Sequence, residues 1–273
     1  MTITRSRVWK LFAPANLALL GFVLLFAGLR VTRPGTVFYY TEGTVLGSLA
    51  ALEATGELAS LDPADGWTEP PVVLTLYPPV YFVAAAEVDR WLGSEGTFLG
   101  LRLVSLLALS GVLGLLAYHA VRRRAAGAWI LALGGAALMT PGLFRLAGGA
   151  QADMLALFFT WAGLTAVLDP GTGDVRRGAP ALVLAAAAFL FAFLTKQSFV
   201  AAPAALVVAL ALGGRARAGV TFALCLGAAA LSSVFLLDGL TGGGYLANTL
   251  GALTGDTSVA NLRATLAESE PLQ

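Results

Sequence analysis

Two carboxylates stand out by their surroundings. Glu42 follows a tyrosine pair in Tyr39-Tyr40-Thr41-Glu42-Gly43, and Asp153 ends Gly148-Gly149-Ala150-Gln151-Ala152-Asp153 just before the apolar run Met154-Leu155-Ala156-Leu157-Phe158-Phe159. An ionised acid beside hydrocarbon is costly, so it is either paired or put to use, for example as a proton acceptor. The bland alternatives are a helix-dipole role for Glu42 and helix capping, or pairing with Arg145, for Asp153. Arg102, Arg145 and Lys196 are the cations near the same side. Lys196 and Arg102 each suit contact with an anionic headgroup or simple snorkelling toward the surface. Tyr77-Pro78-Pro79-Val80-Tyr81 sets two interface-loving tyrosines around prolines that suit a helix start, where a missing N–H costs nothing.

The chain that must position these residues has 273 residues, 58% of them hydrophobic and only 12% charged. That is more apolar material than one soluble core of this size needs, and it predicts a membrane protein. A net charge of +1 supplies no basic face for nucleic acid. The single cysteine, Cys225, excludes an intramolecular disulfide and a cysteine-based metal cluster. No Walker motif and no dinucleotide fingerprint after a strand occurs, so a nucleotide-activated donor has no evident seat.

Hydropathy marks apolar runs at 11–30, 98–120, 125–145, 147–168, 179–195, 198–213 and 218–238. Only helices satisfy their own backbone in lipid, so these predict an all-α bundle of about seven spans forming a single membrane domain over residues 1–273. The basic start Arg5, Arg7 and Lys10 before the first run reads as an uncleaved first helix rather than a signal peptide. Residues 77–92 turn polar at Glu87, Asp89 and Arg90 and read as an interfacial helix. With that choice Arg5, Arg7, Lys10, Arg122, Arg123, Arg124, Arg176, Arg177, Arg215 and Arg217 all fall on one side, together with only Asp169 and Asp174. The positive-inside rule then puts the N-terminus in the cytoplasm and the C-terminus outside, with an outer tail over 239–273.

The first outer loop, 33–97, is strongly acidic: Glu42, Glu53, Glu57, Asp62, Asp65, Glu69, Glu87, Asp89 and Glu95 face only Arg33 and Arg90. Within it Val45, Leu46, Leu49 and Leu52 recur at helical spacing, which predicts an amphipathic surface helix with Glu42 in its first turn. The pair of runs around Thr195-Lys196-Gln197-Ser198 is short for full spans and leaves a tilted or re-entrant pair open. His119 reads as an interfacial residue near the inner end of its span, and Gly242-Gly243-Gly244 as a flexible loop.

The order of these features resembles the GT-C class of polytopic glycosyltransferases, which includes protein O-mannosyltransferases and lipid A aminoarabinose transferases. The matching parts are Tyr40-Thr41-Glu42-Gly43 after a first span, Tyr77-Pro78-Pro79-Val80-Tyr81, the span start Leu101-Arg102-Leu103-Val104-Ser105 ending in Arg122-Arg123-Arg124, the helix start at Asp153, and Leu194-Thr195-Lys196. Family members often carry Asp-Glu where this chain has Thr41-Glu42, and some carry an acidic and a basic residue where it has Leu76-Tyr77. The resemblance covers the seven-span N-terminal module, and the expectation is a fragment or reduced homologue of a longer enzyme. It implies sugar transfer from a polyprenyl-phosphate donor to a glycan, lipid or protein acceptor on the extracytoplasmic face of the cell envelope. Glu42, together with Asp153, is then expected to act as general base, and Arg102, Arg145 or Lys196 to supply charge near the departing phosphate, with Tyr40, Tyr77 and Tyr81 lining the site. Whether a divalent metal assists is left open. The alternative is a non-catalytic polytopic membrane protein, a transporter or lipid-binding scaffold.

Overall fold

The computed structural model describes residues 21–22, 24–32, 40–56, 77–95, 97–123, 149–169, 175, 178–246 and 249. Among these, every regular element is a helix, and the only sheet-like pairing is a single antiparallel bridge between Leu168 and Val175. After a helical segment at 24–31 come α1 (Tyr40–Thr55), α2 (Val80–Leu92), α3 (Leu99–Arg123), α4 (Asp153–Val167), α5 (Ala179–Thr195), α6 (Ala201–Leu212) and α7 (Ala216–Leu240). The expected run 125–145, and with it Arg145, lies outside the described residues.

Two helices are long and apolar enough to cross a membrane, Leu99–Arg122 and Ala216–Leu240. The spans expected at 147–168 and 198–213 are shorter than their hydropathy suggested. Helix α4 begins only at Asp153, after a non-helical approach at 149–152, and α6 begins after a turn at 197–200. At 1.5 Å per residue the 12 residues of α6 reach roughly 18 Å. Large apolar side chains nonetheless face outward on α3, α6 and α7, including Val121, Leu212, Leu231 and Phe235. Hydrocarbon satisfies such a surface and water does not.

Packing is closest where side chains are smallest. A Cβ on Gly111 of α3 would collide with the Phe158 ring of α4, and one on Gly163 of α4 with the Phe189 ring of α5. These glycines let α3, α4 and α5 approach in the manner of small-residue helix contacts in lipid. Three apolar clusters follow. One joins α1, α2 and the start of α3 through Leu49, Tyr81, Phe82 and Leu101; a second packs Leu109, Val112 and Met154; a third packs Phe189, Leu206, Leu210 and Phe222.

The α2–α3 corner is set by local chemistry. Pro79 caps the start of α2, and its carbonyl accepts the Val83 N–H at 2.9 Å. Gly93 ends the helix in the left-handed region, at φ 63°, where a Cβ would be strained. Asp89 then turns back to the next helix. Its Oδ1 accepts the Gly100 N–H at 2.9 Å and the Ser94 hydroxyl, so it closes the open first turn of α3 from outside. A Cβ on Gly100 would strike that carboxylate and the Ala85 carbonyl. The other Asp89 oxygen, Oδ2, is buried without a hydrogen-bond partner among the described residues.

Burial therefore raises the Asp89 pKa above its ordinary 3.8, against the lowering effect of the Ser94 and Gly100 hydrogen bonds. A carboxyl whose folded pKa is raised favours the folded state when protonated. Its stabilising effect is full below the unfolded pKa and is lost as pH rises through the folded value. Asp89→Asn keeps the acceptor, places an N–H₂ where Oδ2 lacks a partner, and no longer ionises. We expect its melting temperature to gain on wild type as pH rises above 3.8. Asp89→Ala loses the cap and should cost about 1–2 kcal/mol across the range. Thermal unfolding of both variants against pH checks the pair.

Candidate functional site

The structure gathers six of the sequence-predicted residues into one polar seam at the α2–α5 end of the molecule. The inner part is sealed. Arg102, the fourth residue of α3, and Glu42, in the first turn of α1, are both 0% exposed, with Nη2 3.1 Å from Oε2. Glu42 Oε1 accepts the backbone N–H of Ala150 at 2.9 Å, Arg102 Nη1 donates to the Arg30 carbonyl at 3.3 Å, and the Phe98 ring lies 4.6 Å from the guanidinium carbon. Both carboxylate oxygens and two faces of the guanidinium are thus engaged within the protein. In this arrangement neither group is open to a substrate.

Next to it lies a hydroxyl layer. Tyr81 on α2 is fully buried; its hydroxyl donates to the Leu101 carbonyl at 2.8 Å and lies 2.9 Å from Ser105 Oγ. Ser105 Oγ in turn reaches the Gln151 carbonyl at 3.1 Å. Burial pushes the Tyr81 phenol well up, and the negative charges of both Glu42 and Asp153 add to this. Tyr81 is accordingly a neutral hydrogen-bonding strut between the two acids.

The outer part is open. Asp153 begins α4 and Lys196 follows the last residue of α5; Nζ to Oδ1 is 2.7 Å, with the side chains 14% and 22% exposed respectively. The Lys196 ammonium also sits 5.1 Å from the centre of the half-buried Tyr77 ring, a cation–π contact. Asp153 Oδ2 is buried and has no hydrogen-bond partner among the described residues. Buried polar atoms are nearly always satisfied, so this carboxylate oxygen is an exception among the described residues.

One segment links the layers. Glu42 holds the Ala150 amide, Ser105 holds the Gln151 carbonyl, and the Gln151 N–H bonds the Gly149 carbonyl at 2.9 Å. The next helical residue is Asp153. The sealed ion pair and hydroxyls therefore fix the approach that delivers the open carboxylate.

The sequence reading pairs Asp153 with Arg145 as its structural alternative; among the described residues Asp153 pairs with Lys196. Tyr40 opens α1, and its side chain lies outside the description. His119, near the end of α3, is buried and lies 3.0 Å from Thr165 Oγ1 of α4. Gly242 and Gly243 form a built turn with positive φ, in which the Gly243 N–H bonds the Asp238 carbonyl at 2.8 Å. Sequence reasoning missed Ser105 and Asp89 as network members. Ser105 lies three residues after Arg102, on the same helical face, and Asp89 continues the buried spacing of Phe82, Ala85 and Ala86. Among the described residues no group of three or more His, Cys, Asp or Glu side chains is placed to hold a metal.

Comparison with known proteins gives no matching family model, no matching curated protein and no matching solved structure.

Removing one partner of a sealed ion pair leaves an uncompensated buried charge, which typically costs about 3–5 kcal/mol. Arg102→Met and Glu42→Gln should each lower the melting temperature sharply in detergent. The double variant should recover most of the loss, since it buries no charge. Additive losses in that double-mutant cycle would show that the pair is not coupled.

Proposed function

We propose that the chain is a membrane glycosyltransferase of the GT-C type, moving a sugar from a polyprenyl-phosphate donor to an acceptor on the extracytoplasmic face. In this reading the two long apolar helices belong to a bundle of about seven spans, with the N-terminus cytoplasmic and the C-terminus outside. The observation that carries it is the partly exposed pair of Asp153 and Lys196 against Tyr77, with Asp153 Oδ2 lacking a hydrogen-bond partner among the described residues. A carboxylate and a cation lie at the same end of the molecule, and transfer from a phosphate leaving group needs one of each.

The acceptor hydroxyl gives its proton to the Asp153 carboxylate as its oxygen bonds to the anomeric carbon. The bond from that carbon to the phosphate oxygen breaks on the opposite face, and its electron pair leaves with the lipid phosphate; Lys196 releases Asp153 and extends its side chain to meet that charge. The anomeric centre inverts. Phosphate is already a good leaving group, so the site needs a base and a positive charge rather than a strong acid. Glu42 and Arg102 take a positioning role, because their charges are spent on each other and on the Ala150 amide.

General-base assistance is worth about 10²–10⁴-fold. Asp153→Asn should keep the fold and lose sugar transfer by about that factor in membranes supplied with radiolabelled polyprenyl-phosphate sugar. Normal transfer by this variant sinks the assignment. Lipid-phosphate binding by the wild-type chain without any transfer would favour the non-catalytic, lipid-binding alternative.

A further inference from the structure

In the resting chain the carboxylate assigned as base is covered. Asp153 Oδ1 is taken by the Lys196 ammonium at 2.7 Å, and Oδ2 is buried without a hydrogen-bond partner among the described residues. A general base must come within hydrogen-bond reach of the proton it takes, so an incoming hydroxyl meets a usable oxygen only after this contact opens.

The longer partner is the one built to move. Asp153 is a short side chain on the first residue of α4. The Lys196 backbone is pinned on both sides: its N–H bonds the Ala192 carbonyl at 2.9 Å, and its carbonyl accepts the Phe199 N–H at 3.1 Å. Beyond that anchor Lys196 is a flexible four-carbon stem ending in a point charge. Water reaches this pair and screens it, as it does not screen the sealed pair of Glu42 and Arg102. The Tyr77 ring, 5.1 Å from the ammonium, attracts the cation independently of the carboxylate.

Charge decides what opens the contact. A carboxylate and a phosphodiester each carry one negative charge, so a diester competes with Asp153 for Lys196 on nearly even terms. A phosphate monoester carries about 1.5 to 2 negative charges near neutral pH and three strong acceptor oxygens, so it competes better. The ammonium therefore moves toward the phosphate as the bond to the sugar breaks and the second charge appears. An interaction that strengthens only at that point accelerates the step. Afterwards Asp153 is a tethered competitor that takes Lys196 back and weakens the hold on the product.

Resting on the proposed transferase reading, we infer that the ion pair of Asp153 and Lys196 is an autoinhibitory latch: it masks the base in the empty chain and is opened by a phosphate monoester, for which Asp153 is an internal competitor at Lys196. The carboxylate that serves as base thus also opposes phosphate binding, and it does so through the lysine.

The test measures binding of a ten-carbon prenyl monophosphate and of inorganic phosphate to the full chain in phosphatidylcholine nanodiscs near neutral pH. Lys196→Gln should weaken binding about tenfold, and Asp153→Asn should tighten it about tenfold. In the Lys196→Gln background Asp153→Asn should change binding by less than about twofold, since no ammonium is left to release. Asp153→Ser should tighten binding as Asp153→Asn does, so the result does not hang on the folding of one variant. Equal tightening by Asp153→Asn with and without Lys196 would mean plain repulsion between carboxylate and phosphate and would overturn the latch, as would no tightening by either Asp153 variant. Binding of the prenyl ester at least about tenfold tighter than inorganic phosphate would support a latch opened by lipid phosphate, and equal binding would support one opened by phosphate itself. None of these readouts depends on sugar transfer. Failure of the mutant cycle leaves the transferase reading intact, whereas an intact cycle in a chain that moves no sugar supports the latch and counts against the transferase reading alone.

Discussion

A carboxylate and a guanidinium with no exposure, 3.1 Å apart and sixty positions apart in sequence, tie the first described helices of this chain to the segment that delivers Asp153. The pair is not a simple source of stability. Desolvating two ions is expensive, and the return depends on how well their remaining lone pairs and protons are met. Here the Ala150 amide, the Arg30 carbonyl and the Phe98 ring meet them. The return is geometric. Three separate stretches of chain, at Arg30, Glu42 and Ala150, can satisfy one guanidinium–carboxylate unit only in one mutual arrangement.

Around that unit the polar side chains are graded from sealed to open. Glu42 and Arg102 are closed off, Tyr81 and Ser105 exchange hydrogen bonds in the interior, and Asp153 and Lys196 reach the surface. The grading matters because a weak surrounding dielectric strengthens each interaction and also raises the cost of each missing one. The sealed part is held by its own hydrogen bonds. The orphan oxygen belongs to the partly exposed end, although the atom itself is buried.

Helix positions were largely legible in the sequence. The apolar spacing Val45, Leu46, Leu49 and Leu52 marked α1, Tyr77-Pro78-Pro79 marked the start of α2, and Asp153 marked the start of α4. Charge type was legible too, because an acid or an arginine inside an apolar run demands an explanation. Partners were not. Nothing local in Leu101-Arg102-Leu103 points to Glu42, since the link is made by two helix packings and not by spacing. The short reach of α6 was legible, because its run 198–213 is too short for a full span, whereas the later start of α4 was hidden from hydropathy. Hydropathy measures composition, and residues 149–152 read as part of the run 147–168 although their backbone is not helical.

The breaks before α4 and α6 also decide where chemistry is possible. A helix running unbroken through Lys196 would satisfy its own backbone and send the side chain outward with the rest of its turn. By ending at Thr195 the chain frees Lys196 to adopt an extended conformation, from which it spans to Asp153 on one side and Tyr77 on the other. The same turn exposes Phe199 and Val200 to an apolar slot between α5, α6 and α7. One short turn thus carries the cation of the polar cluster at its start and two walls of the apolar slot at its end.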